Sequence, residues 1–287
     1  MNFGRLADHP SVRKSPVLRK GIALLRRPAA ALERRAVGPE AYANCPPLFV
    51  NSLPKSGTHL LLQVTRALPG VRYLNRFIAT SPSITQRERA PDELARRISA
   101  VLPSETLGCH LYCSAEAKAA LQGINALHLF IYRDPRDVIV SEAYYLSEMN
   151  RWHRMHKHFA KLGNDRDRLQ LALNGLDRRY PECNSRLLPY SGWLQDPDTL
   201  AIRYEDISGA GRDSQLLRII DAYTARTGGM AEDRSALLQA LKTAIDPGKS
   251  HTFRRGGTGK WRQGLSDAEA RALTEQLRPS LEAFGYH

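Results

Sequence analysis

The stretch LFVNSLPKSGTHLLLQ, Leu48 to Gln63, changes character halfway along. It opens as an apolar run of strand length, Leu48–Leu53, and closes as an apolar run at helical spacing from Thr58. Between them stand Pro54, Lys55, Ser56 and Gly57. A strand that hands over to a helix through a tight turn leaves several backbone N–H groups unpaired at the helix N-terminus. Those groups and the helix dipole attract an anion. Gly57 lets the backbone approach a ligand, Ser56 and Thr58 add hydroxyls, and Lys55 brings a point charge. The loop is not of the G-x-x-x-x-G-K-[ST] type, and the GKS at Gly248–Ser250 lacks the required upstream glycine.

Working outward, strands are expected at Leu48–Leu53, Thr106–Leu111, Leu127–Tyr132 and Thr199–Tyr204. Helices are expected at Thr58–Ala67, Arg136–Met149, Ser214–Thr227, Arg234–Ile245 and Asp267–Phe284. Strands separated by helices require crossovers, hence an α/β fold with a central, mostly parallel sheet flanked by helices. The regions Arg72–Ser104 and Glu148–Pro197 are polar and weakly patterned, and read as insertions over one edge of the sheet. No Pro/Gly/Ser-rich linker divides the chain, so residues 45–287 are expected to form a single domain. Residues 1–44 form a basic helical arm with nine Lys/Arg against three acidic residues. Such an arm suits a solvated packing element, a contact with anionic lipid, or a nucleic-acid contact.

The whole chain of 287 residues carries a formal net charge of +13, which favours anionic partners without choosing among them. No apolar run reaches the ~18 residues of a membrane span. The pattern of a secretory leader is absent from the first residues, and four scattered cysteines read as reduced thiols. A cytoplasmic protein is expected, with peripheral membrane contact through the arm as an option.

Two further stretches repeat the grammar of the first. In FIYRDPRDVIVSEAYY, Phe130–Tyr145, Arg133 falls at a strand tip, where open parallel sheets bind ligands, and Ser141 lies about two helical turns on. The plainer alternative pairs Arg133 with Asp137 and leaves Ser141 at the surface. In FRRGGTGKWRQGLSDAEA, Phe253–Ala270, two arginines precede a glycine-rich loop with a lysine and a tryptophan, a combination suited to gripping phosphate. His153, His156 and His158, in RWHRMHKHF, fit a basic face, an acceptor-binding surface or a metal site.

Together the three clusters resemble the PAPS-dependent sulfotransferase family, whose donor is 3′-phosphoadenosine-5′-phosphosulfate. PKSGTHLL is similar to the family's 5′-phosphosulfate loop and YRDPRDVIVS to its 3′-phosphate motif. RRGGTGKW is similar to its C-terminal R-x-G-x-x-G-x-W/K loop, and RYED, Arg203–Asp206, to the segment near the adenine. The resemblance spans roughly residues 46–287. It implies a P-loop-like sulfotransferase architecture and an enzyme that moves a sulfuryl group to an acceptor hydroxyl, releasing adenosine 3′,5′-bisphosphate without a metal. Lys55, Ser56, Gly57, Thr58, His59 and Leu60 would hold the 5′ group. Arg133, Ser141, Arg254, Arg255 and Gly256 would hold the 3′-phosphate, and Tyr204 would contact the base. The family's catalytic histidine matches His110, which with Lys55 and Ser141 makes the expected catalytic set; His59 is the competing base. Two positions depart from the family pattern: Gly108 stands where a lysine is usual, and Leu60 where an aromatic residue is frequent. A hydroxyl on a carbohydrate or hydroxylated glycolipid is the expected acceptor. A kinase or NTPase, or a basic nucleic-acid binder, are the alternatives. The first would need a Walker lysine and Mg²⁺ ligands, and the second a basic stripe with interleaved aromatics.

Overall fold

The computed structural model describes residues 32–229, 233–246 and 258–287. Its five strands are β1 (Leu48–Ser52), β2 (Arg72–Ala79), β3 (Glu105–His110), β4 (Leu127–Tyr132) and β5 (Thr199–Arg203). They lie in the order β2-β3-β1-β4-β5, and every pairing is parallel. A parallel sheet buried on both faces explains why β1 reads as a continuous apolar run. Alternate side chains enter opposite layers: Leu48 and Val50 join one core, Phe49 and Leu53 the other. Each fully buried side chain of this size contributes roughly 1.5–3 kcal/mol.

Helix α1 (Thr58–Arg66) covers the sheet on the Val50 side with α9 (Arg212–Arg226) and α10 (Arg234–Ala244). On the other face lie α2 (Pro91–Ser99), α3 (Ala115–Gln122), α4 (Pro135–Tyr144) and α6 (Asp165–Asn174). Trp193 is fully buried there, its Nε1–H donating to the Leu111 carbonyl at 2.7 Å. Short helical segments α5 (His156–Phe159), α7 (Cys183–Leu187) and α8 (Tyr204–Ser208) complete the connections.

Three expectations about elements are corrected. The stretch Arg72–Ser104 is not wholly an insertion, because Arg72–Ala79 forms the edge strand β2 and Pro91–Ser99 forms α2. The helix expected over Arg136–Met149 is α-helical only to Tyr144 and ends in a wider turn of π type over Tyr145–Met149. The last helix divides at Leu277 into α11 (Asp267–Gln276) and α12 (Arg278–Phe284), with Pro279 in the first turn of the second. Of the N-terminal arm, residues 1–31 lie outside the described residues. Its end packs on the body: Glu33 pairs with Arg72, and Arg34 Nε donates to the Ser99 carbonyl at 3.1 Å.

Candidate active site

The C-terminal ends of β1, β3 and β4 and the start of α8 open into one cavity of about 2220 Å³. Its floor is the turn between β1 and α1. Lys55 sits there with φ +68° and Gly57 with φ +107°, both left-handed. At Gly57 the requirement is steric as well, since a Cβ would stand 2.8 Å from Cδ2 of Tyr204. No side chain caps α1, and its first backbone bond runs from Leu61 N–H to the Gly57 carbonyl. In the turn before it, Ser56 N–H donates to the Leu53 carbonyl at 3.1 Å, while the N–H groups of Gly57, Thr58 and Leu60 precede that first helical bond and are placed to meet a ligand. Ser56 is fully buried, and its hydroxyl has no hydrogen-bond partner among the described residues. A buried orphan hydroxyl beside uncapped amides fits an anionic group.

Lys55 Nζ stands 3.8 Å from the centroid of the Tyr145 ring. Burial, with Arg133 adding to it and Glu142 opposing it, pulls the ammonium down to about 8. His110 ends β3. Asn51 clamps the neighbouring residue, its Oδ1 accepting from Leu111 N–H at 2.8 Å and its Nδ2 donating to the Leu111 carbonyl at 3.2 Å. The His110 ring lies edge-on to Phe77 with centroids 4.9 Å apart. Its Nδ1 lies 2.9 Å from the Ser52 carbonyl. A carbonyl only accepts, so Nδ1 carries the proton and Nε2 keeps the lone pair. Burial holds the imidazole down at about 4, so it is neutral at physiological pH. The Ser52 hydroxyl, 3.1 Å from Nδ1 and 2.6 Å from the Thr58 hydroxyl, links the histidine to the turn.

From β4 comes Arg133, which pairs with Asp137 at 3.1 Å and stacks 4.6 Å from the Tyr204 centroid. The plainer expectation for this arginine, a pair with Asp137, is thus present, and the pair faces the cavity together with Ser141. Asp137 also accepts from Gly259 N–H at 3.0 Å and Trp261 N–H at 2.8 Å. That carboxylate ties the glycine-rich loop to the tip of β4, and Lys260 and Trp261 line the same cavity. Arg254, Arg255 and Gly256 lie outside the described residues. His59 and Leu60 reach the cavity wall, Leu60 also packing against the core around α1.

The position of Gly108 explains one departure from the family pattern. A Cβ there would lie 2.9 Å from Cε2 of Phe77 and 3.2 Å from Leu62, so the Phe77 ring occupies the space a lysine would need. Of the three histidines of RWHRMHKHF, His153 lines the cavity and His156 and His158 do not. The Nδ1 of His153 accepts from Met155 N–H at 3.1 Å, whereas His156 Nδ1 donates to the Leu146 carbonyl at 2.7 Å. Among the described residues no three His, Cys, Asp or Glu side chains gather as metal ligands would. Glu142, held by Arg186 at 2.6 Å, and Tyr112, Tyr145 and Tyr190 also line the cavity. Sequence patterning had singled out none of these four, though Glu142 and Tyr145 stand on the same helical stretch as Ser141.

The sequence matches the family described as Sulfotransferase domain over residues 46–285. Among solved structures, that of mouse sulfotransferase SULT7A1 complexed with PAP is similar, with a TM-score of 0.57 and 19% identity. The match covers 83% of this chain and 85% of that one. No protein with a curated description matches the sequence.

Proposed function

This chain belongs to the sulfotransferase domain family, and from that premise we propose that it moves the sulfuryl group of PAPS in line to an acceptor hydroxyl, with His110 as general base. One observation carries the proposal. Lys55, His110, Arg133, Ser141 and Tyr204, from separate parts of the chain, line one cavity floored by an uncapped strand-to-helix turn. That turn also carries the buried hydroxyl of Ser56, which has no partner among the described residues. When bound, PAPS supplies an activated sulfuryl group and leaves as adenosine 3′,5′-bisphosphate. The N–H groups of Gly57 to Leu60, with the hydroxyls of Ser56 and Thr58, hold the 5′ end. Arg133 and Ser141, with Arg254, Arg255 and Gly256 of the glycine-rich loop, hold the 3′-phosphate, and Tyr204 packs against the base. Lys55 opposes the negative charge that develops on the leaving oxygen. His110 Nε2 takes the acceptor proton, its ring held in the correct tautomer by the Ser52 carbonyl.

The acceptor we propose is a carbohydrate or hydroxylated glycolipid. The cavity, at about 2220 Å³, exceeds the upper range of common small-ligand pockets, ~1,000 Å³. Its lining includes the polar side chains of Ser81, Ser83, Gln86 and Asn150 together with Tyr112 and Tyr190. Loss of a general base typically costs ~10²–10⁴-fold in rate, so His110→Ala should fall in that range under single turnover. Unchanged turnover would assign the base elsewhere. A screen of labelled PAPS against glycans, lipids and phenols tests the acceptor, and activity confined to small phenols would refute it.

A further inference from the structure

Six large apolar side chains are exposed among the described residues, and five of them stand in or next to segments that line the cavity. Phe77 and Met149 line the cavity itself. Ile84, Trp152 and Leu176 are 56%, 61% and 46% exposed and lie on three segments that Arg154 joins. Arg154 N–H donates to the Ser83 carbonyl at 3.0 Å, and its guanidinium binds Asp177 through Nη1 at 3.2 Å. Gln86 and His153 meet at 3.5 Å. Ser83, Gln86, Asn150, His153 and Arg178 line the cavity, so the segments that carry Ile84, Trp152 and Leu176 border its rim. Arg87, Arg178 and Arg179 are exposed on the same segments, line the same cavity and form no ion pair among the described residues. The nearby carboxylate of Asp177 is taken by Arg154, and Asp165 and Glu269, which also line the cavity, pair with Arg168 and Arg166. Glu88 is thus the lining carboxylate on these segments that forms no ion pair among the described residues.

An indole, two branched aliphatic side chains and unpaired guanidiniums side by side match a surface with acyl chains beneath a layer of negative charge. We propose that this rim docks the enzyme on an anionic membrane surface, so that the cavity opens toward the headgroup layer and takes the hydroxyl of a lipid-anchored acceptor. This rests on the sulfotransferase function proposed above and narrows its acceptor to the glycolipid. It also moves the expected membrane contact from the N-terminal arm to the mouth of the site. The orientation has a chemical use: Lys55 and His110 stay within the cavity, while apolar acyl chains need not leave the bilayer.

The test uses the full chain with vesicles of phosphatidylcholine, with and without phosphatidylglycerol. Binding should require phosphatidylglycerol and weaken as salt rises. Arg178→Ala with Arg179→Ala should weaken it about thirtyfold, from the usual worth of two cations at an anionic surface. Binding should shift tryptophan emission to the blue, and Trp152→Phe should lose most of that shift, because Trp193 is fully buried already and Trp261 is half-buried inside the cavity. Vesicle binding that is absent, that survives the double arginine variant, or that is lost only in Arg26→Ala with Arg27→Ala would overturn the rim as docking surface. Binding of a soluble anionic polysaccharide in place of vesicles would overturn it too. Calorimetry with adenosine 3′,5′-bisphosphate on the same preparations separates the two levels. Bisphosphate binding without vesicle binding defeats the docking proposal alone, and loss of both defeats the enzymatic assignment beneath it.

Discussion

Raising the pH should loosen the grip of this protein on adenosine 3′,5′-bisphosphate, and Lys55 sets the midpoint. Burial pulls its ammonium from 10.5 down to about 8 in the free protein. A bound anion favours the charged lysine, so above that midpoint binding must first return a proton to Nζ. At pH 9 about one molecule in ten carries the charge, which weakens binding about tenfold relative to pH 7. The phosphate groups are fully ionised throughout that window and add no slope of their own. Folding carries the matching signature. An unfolded lysine titrates near 10.5, so the folded state gives up its proton first, and stability rises with pH between about 8 and 10.5. The burial cost, roughly 3 kcal/mol, is fully present below that window and gone above it. Calorimetric titration in buffers of different ionisation enthalpy reads both the affinity and the proton uptake. Lys55→Met should bind more weakly at pH 7 and lose the slope. A parent protein with constant affinity to pH 9.5, or a methionine variant with the parent's slope, would refute the placement of Lys55 against the ligand.

Gly57→Ala should destabilise the fold by about 2–4 kcal/mol, summing a left-handed backbone with a side chain and overpacking against Tyr204. Denaturant unfolding measures it, and a change below about 0.5 kcal/mol would show that the turn tolerates a side chain. Asp137→Ala leaves Gly259 and Trp261 N–H without their acceptor and Arg133 without its partner. Bisphosphate affinity should drop at least about tenfold from the loss of charge-assisted bonds, and an unchanged value would mean the loop holds its place by other contacts. For His110, held at about 4, the acid limb of kcat/KM should lie near pH 4, well below the ordinary histidine range. A limb near ~6.5, the ordinary histidine value, would point to a base other than His110.

Much of this fold was legible because its central strands are buried on both faces. β1, β3 and β4 read as short apolar runs for that reason. The edge strand β2 did not. Its sequence RYLNRFIA mixes exposed and half-buried positions, and a register shift between Tyr73 and Phe77, near Asn75 at φ +56°, breaks the alternation a reader would follow. The division of the final helix had a local sign in Pro279. Within the site, strand-to-helix turns announced Lys55, Gly57 and Arg133, since turn chemistry is local. Asp137 was legible only as a salt-bridge partner of Arg133. Its second duty, accepting from two N–H groups more than a hundred residues later, depends on tertiary approach and leaves no local pattern. The same holds for Phe77, which fills the space above Gly108 from a neighbouring strand.

The most direct measurement compares adenosine 3′,5′-bisphosphate with adenosine 5′-monophosphate, which lacks only the 3′-phosphate, on the parent protein and on Arg133→Ala. If Arg133 and Ser141 hold the 3′ group, the parent should prefer the bisphosphate by at least about a hundredfold, the worth of one charged and one neutral hydrogen bond, with the glycine-rich loop adding to it. Arg133→Ala should lower that preference by at least about tenfold, the share of one charged hydrogen bond, while its affinity for the monophosphate stays near the parent's. Equal binding of the two nucleotides by the parent protein would contradict a cavity built for a nucleotide phosphorylated at both ends of its ribose.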